Sequence, residues 1–185
     1  MRFKKARGAM VTAGADEIEA LVLRQCVGEL LELLGEADQD QGESQDPLAA
    51  LVGMPTGEVA PPADPALARL LPDAYAQDPA RATEFRRYTD ADLRAGKRAA
   101  ARTVLATVAE GGGEVLLDRD QADAWLGCLN DLRLVLGTRL EVTEQTDVDD
   151  LDPDDPRVQP LHVYGWLAYL QESLLSCLRP RGSRQ

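Results

Sequence analysis

The sequence predicts a mainly α-helical fold: a single domain over residues 1–185, with about five to six helices and a minor two-stranded β element. Three observations carry this. Apolar residues recur at intervals of three and four over most of the chain. Asp or Thr precedes those runs, and Gly or Pro closes them. β-prone residues are confined to two short stretches, around Ala9–Thr12 and at EVLL, residues 114–117. The length of 185 residues and a hydrophobic fraction of 44% suit a globular chain with a buried core.

Each element has its own signal. Asp16 caps a first helix, with Glu17 and Glu19 in the turn where the macrodipole favours acids. Its apolar stripe is Leu23, Cys26/Val27, Leu30 and Leu33/Leu34, and Gly35 stops it. Residues 36–63 are rich in Asp, Gln, Gly and Pro and read as a mobile loop with one helical turn at Asp46–Val52. Asp64-Pro65 opens a brief helix that Pro72 ends. Asp78-Pro79 opens another, and Thr89, with Asp92 at the capping-box position, opens the next, which ends at glycines 111–113. Asp118 or Asp120 caps a long helix with the stripe Ala122, Trp125, Leu129, Leu132 and Leu136. Residues 141–157 form an acidic loop, residues 158–178 a last helix with the stripe Val163, Trp166/Leu167, Leu170, Leu174 and Cys177, and residues 179–185 a frayed basic tail. An offset of 102 lays QCVGELLELLG (25–35) over GCLNDLRLVLG (127–137), either as a pseudo-symmetric strand–helix pair or as chance similarity of two Leu-rich helices.

The formal net charge is -12 and the sequence pI about 4.5, which argues against a surface that coats nucleic acid. DNA contact would be weak or indirect. No run of apolar residues is long enough to span a membrane, and acids with Arg24 interrupt any signal-peptide core, so the expected location is the cytoplasm.

Against this acidic background, TEFRRYTDADLRAGKRAAAR (83–102) concentrates Arg86, Arg87, Arg94, Lys97, Arg98 and Arg102. Arg94, Arg98 and Arg102 fall at i, i+4 and i+8, on one helix face expected to be free to point outward. The readings are an anion-recognising surface, for phosphates or an acidic partner, or a solvated face that pairs with the acidic loop at 147–155. Glu84, Asn130, Asp131, Arg133 and Arg139 read as a structural polar network, with Arg133 pairing to a carboxylate of another helix such as Glu84.

Signals for catalysis are thin. The glycines of AEGGGEVLL precede a strand, whereas a phosphate-cradling loop follows one. His162 stands alone, and DVDDLDPDDP lacks the Gly and the bidentate Glu of a calcium loop. No catalytic residue, metal site or cofactor is expected. Cys26, Cys128 and Cys177 lie far apart in the sequence and on or beside apolar stripes. They read as buried small hydrophobes or, if two meet in space and are reachable, as a redox pair.

The blocks DPALARLLPDAY, EFRRYT, WLGCLNDLRLVLGTRL and VYGWLAYLQESLL together resemble an actinobacterial family long filed as a domain of unknown function, one member of which is described as an oxidative-stress transcriptional regulator. The resemblance spans about residues 3–178, apart from the loop 36–63. It implies a non-enzymatic regulator that contacts a stress sigma factor or RNA polymerase and promotes cysteine-biosynthesis genes. It also implies oxidation sensing through cysteines, for which the family's redox member has a CxxxC pair. This chain has no CxxxC, so the partner function carries over while thiol sensing lacks its motif. The oligomeric state is left open, a homodimer included.

Overall fold

The structure is a computed structural model that describes residues 1–35, 60–75 and 77–179. Along these residues run β1 (Lys4–Lys5), β2 (Val11–Ala15), α1 (Glu17–Leu34), α2 (Pro65–Leu70), α3 (Pro79–Thr107), β3 (Gly113–Leu117), α4 (Arg119–Arg139) and α5 (Val158–Leu178). Short 3-10 turns occupy Arg7–Ala9 and Val148–Asp150. The predicted helical class is the observed one. The expected loop at 36–63, with its turn at Asp46–Val52, lies outside the described residues up to residue 59, and the tail lies outside them from residue 180.

The β element has three antiparallel strands in the order β1-β2-β3, where two were expected. The extra strand is the pair Lys4–Lys5 against Val11 and Thr12, and two residues are too few to show an alternating pattern. In the β2–β3 ladder Val11 faces Leu117, Ala13 faces Val115 and Ala15 faces Gly113. Phe3, Val11, Ala13, Val115 and Leu117 are buried on the inner face. On the outer face Thr12 Oγ1 donates to Glu114 Oε1 at 3.0 Å.

Both strands feed a helix through the same device. Asp16 accepts from the Glu19 backbone N–H at 2.8 Å while Glu19 Oε2 accepts from the Asp16 N–H at 3.1 Å. Asp118 and Gln121 repeat this capping box at 2.8 and 3.0 Å. The 102-residue offset therefore holds for strand, cap and helix start alike: β2 maps onto β3 and Asp16 onto Asp118. The β2–β3 register is the one a local twofold between the two units produces.

The break expected at Thr89 does not occur. α3 is one helix of 29 residues, capped by Asp78 with Pro79 in its first turn. Thr89 Oγ1 donates backward to the Phe85 carbonyl at 3.0 Å, the ordinary mid-helix use of a threonine hydroxyl. The sequence signature of a cap was satisfied by residues that continue a helix.

Trp125 fills the centre of the core, fully buried and edge-on to Phe3 at 5.3 Å. Its indole N–H donates to Thr107 Oγ1 at 2.8 Å, which spares a buried donor. Around it lie Leu23, Val27, Leu30 and Leu34 of α1, Val104 of α3, Leu129 of α4, and Leu167, Leu170 and Leu174 of α5. These are the predicted stripes, with Cys26, Leu33, Leu136, Val163, Trp166 and Cys177 packed half-buried at their margins. Among the described residues no helix is long and apolar enough to cross a membrane.

Candidate functional site

α3 lies antiparallel between α1 and α4, since Arg24 of α1 meets Leu105 while Leu34 meets Arg94, and Trp125 of α4 meets Thr107 while Asp131 meets Lys97. A helix C-terminus leaves carbonyls without intrahelical donors and carries partial negative charge. α1 and α3 each close the other's end with guanidinium groups. Arg94 Nη1 donates to the Leu34 carbonyl at 3.1 Å, and Arg98 Nη1 donates to Leu34 and Gly35 at 3.4 and 3.3 Å. At the opposite end Arg24 Nη1 donates to Leu105 and Val108 at 2.9 and 2.8 Å, and its Nη2 reaches Glu110 at 3.4 Å.

This corrects the expectation that Arg94, Arg98 and Arg102 face outward together. Arg98 is only 4% exposed, Arg94 is half-buried and bonded to Asp90 at 2.6 Å, and Arg102 alone of the three is exposed. The i, i+4, i+8 count was right as helix geometry. It could not see that α1 ends against the first two positions.

The rest of the basic stretch is also engaged. Arg86 is buried and ion-paired with Asp73. Arg87 is half-buried, its guanidinium 5.5 Å from the Tyr88 ring centre. Lys97 Nζ donates to Asp131 Oδ1 at 2.7 Å. Asp131 is 4% exposed, and burial raises its carboxyl pKa above the ordinary 3.8 even though Lys97 pulls it down.

The expected polar network is split. Arg133 does not pair with Glu84, which stays exposed on α3. Instead Arg133 Nη1 donates to Gln171 Oε1 and its guanidinium stacks 5.4 Å from the Tyr164 ring centre, while its Nε is buried without a partner. Arg139 binds Asp64 Oδ2 at 2.6 Å, tying the end of α4 to the cap of α2. Asn130 faces solvent. Cross-helix partners depend on helix rotation and separation, which a single helix's sequence does not contain.

The three thiols are all free. Cys26 lines a cavity of about 140 Å³ between α1 and α4 with Leu30, Leu33, Leu132 and Val135. Burial, helped by Glu29, raises its pKa to about 11. Cys128 is buried on α4, and burial with the nearby Asp131 carries it to about 12. Cys177 is also raised by burial, against the pull of Lys5 and Arg2. The acids at 147–155 serve their own turns: Asp147, Asp152 and Asp155 accept from the backbone N–H groups of Asp149, Asp154 and Arg157. Among the described residues no group of three His, Cys, Asp or Glu side chains could hold a metal.

Sequence reasoning missed Arg24, Asp73 and Thr107 as structural partners. Arg24 had a signal: it interrupts an apolar run near the helix middle, where a charge needs a reason.

The model of the family described as a domain of unknown function, DUF2017, matches residues 1–178. The oxidative stress regulator AosR of Mycobacterium tuberculosis strain H37Rv is 36% identical over 179 residues, covering 90% of this chain and 80% of its own length. AosR of Mycobacterium bovis matches to the same degree. The putative oxidative stress regulator AosR of Mycobacterium leprae is 32% identical over 190 residues, covering 96% of this chain and 86% of its own. No solved structure matches the chain. A family match over nearly every residue, with relatives that align along most of their own length, places the chain by its whole fold and not by one motif: it belongs to the DUF2017 family.

Proposed function

We propose that this protein is a non-enzymatic transcriptional regulator of the oxidative stress response, acting through contact with a sigma factor or RNA polymerase and directed at cysteine-biosynthesis genes. The observation that carries this reading is the 36% identity to a named oxidative stress regulator over 90% of the chain. Geometry supports protein contact over DNA contact. Arg86 and Arg98 are buried and Arg94 is half-buried against the α1 end, so much of the basic stretch is used inside the fold. Phosphate binding by a chain of net charge -12 needs a dense basic patch. Arg102, exposed on α3, is the candidate contact for an acidic partner surface. In this reading the stress signal does not enter through Cys26 or Cys128, which lie in or against the core and are held protonated by burial.

The test is reconstitution with purified RNA polymerase core and the stress sigma factors of the source organism. Co-elution is expected with one of them, and Arg102→Glu is expected to weaken it about tenfold. Absence of co-elution with every sigma factor and with core, together with unchanged transcription of cysteine-biosynthesis genes in a deletion strain under peroxide, would sink the reading.

A further inference from the structure

α1 ends opposite Arg94, so the first four turns of α3 have no α1 beside them. Their inner side is held by buried Ala82, Arg86 and Asp90. Their outer side carries Arg81, Phe85, Tyr88 and Asp92, all exposed. At 100° per residue these four fall within about 60° of arc, a single stripe about 17 Å long. Phe85 and Tyr88 are 43% and 51% exposed, and Tyr75, edge-on to Phe85 at 5.8 Å, is 44% exposed. The chain has only eight aromatic residues, and three of the four that are exposed gather here. Exposed aromatics flanked by arginine are the composition of interface centres.

The order of the stripe identifies its occupant. Positions 81, 85, 88 and 92 are symmetric about the point between Arg86 and Arg87, with a cation at one end, a carboxylate at the other and two rings between. A second copy laid antiparallel across a twofold at that point sets Arg81 against Asp92 of the second copy, twice, and Phe85 against Tyr88 of the second copy, twice. An acidic partner would meet Asp92 as a like charge, and a basic one would meet Arg81. Only a surface bearing both signs in reverse order satisfies both ends. Among the described residues neither the Arg81 side chain nor Asp92 is held in an ion pair within the chain; the Arg81 guanidinium lies 5.7 Å from the Tyr75 ring centre. The spacing of four, three and four residues is that of a helix seam. Beside Phe85 lies a small groove lined by Pro72, Ala74 and Leu93 together with Asp73, Thr89 and Asp90, so the exposed Pro72, Ala74 and Leu93 add to the contact area.

We infer that the N-terminal half of α3 is a homodimer interface, an antiparallel α3–α3 contact with this register. The inference does not depend on the regulatory reading and holds or fails without it.

The experiment is sedimentation equilibrium of the full chain across a concentration series, with helicity checked by circular dichroism. The wild type is expected to dimerise. Arg81→Asp alone and Asp92→Arg alone are each expected to weaken the dimer about tenfold, since each sets two like-charge pairs across the twofold. The double variant, which restores opposite charges in reversed order, is expected to recover affinity to within about threefold of wild type. Phe85→Ala with Tyr88→Ala is expected to give a monomer of unchanged helicity. A wild-type chain that stays monomeric at its highest soluble concentration would overturn the inference and leave the stripe to a different protein. A dimer indifferent to both single reversals, or a double variant as weak as the singles, would place any self-association on another face.

Discussion

A guanidinium on a helix lowers its free energy either in water or against carbonyls that lack donors, and Arg98 takes the second course. Its contacts with Leu34 and Gly35 exchange hydration for charge-assisted bonds at the negative end of α1. The thiols follow the same balance with the opposite result. Burial offers Cys26 and Cys128 no cation, so the neutral form is favoured and their pKa values rise to about 11 and about 12. At neutral pH the Cys26 thiolate is then a fraction on the order of one in ten thousand. Timed alkylation with iodoacetamide, read by mass spectrometry, is expected to label native Cys26 about a hundredfold and native Cys128 about a thousandfold more slowly than the denatured chain at neutral pH. The Cys26 rate is expected to climb about tenfold per pH unit until it approaches its own pKa. Rapid labelling at neutral pH would overturn this account. The linkage has a definite sign. A thiol raised from 9.0 to about 11 leaves stability unaffected below pH 9 and lowers it as pH rises through that interval, because the unfolded chain releases the proton first.

Elements were legible where their causes are local. Asp16, Asp64 and Asp78 act as helix caps as expected, and of the two candidates Asp118 and Asp120 it is Asp118 that caps α4, because a cap is decided within three residues. The stripe Leu23, Val27, Leu30 and Leu34 is buried because periodicity along one helix is written in that helix. Thr89 failed as a cap because the same hydroxyl bonds Phe85 equally well inside a continuous helix. Gly112 shows an element's turn fixed by close approach. It has φ +78, and a Cβ there would lie 2.7 Å from the Ala15 carbonyl oxygen and 2.8 Å from Asp16 backbone atoms. Those atoms belong to the junction of β2 and α1 and cannot swing aside. Gly112→Ala is therefore expected to cost roughly 2–4 kcal/mol of unfolding free energy, with urea unfolding as the measure. Gly111→Ala, where nothing lies within 4 Å, is the control and is expected to stay within about 1 kcal/mol.

At the scale of the molecule, a net charge of -12 is spread over a fold in which, among the described residues, Arg86 and Asp131 are buried members of ion pairs. Self-repulsion is a long-range effect that salt screens, whereas Lys97–Asp131, with its carboxylate buried, is screened less. Thermal unfolding at neutral pH is expected to shift upward as sodium chloride rises from about 0.02 to 0.5 M; a downward shift would mean that surface pairs outweigh the net charge. The two strand–cap–helix units at an offset of 102 meet across the β2–β3 ladder and bury Trp125 between their helices and the sheet. The sequence by itself determined the helical class, the caps at Asp16, Asp64 and Asp78, the buried stripes and the charge excess, since each depends on neighbours three or four residues away or on a simple sum. The tertiary structure alone decided that Arg94 and Arg98 seal the end of α1, that Arg133 meets Gln171 instead of Glu84, and that the stripe from Arg81 to Asp92 lies open. These depend on where one helix stops against another, a distance through space that no interval along the chain records.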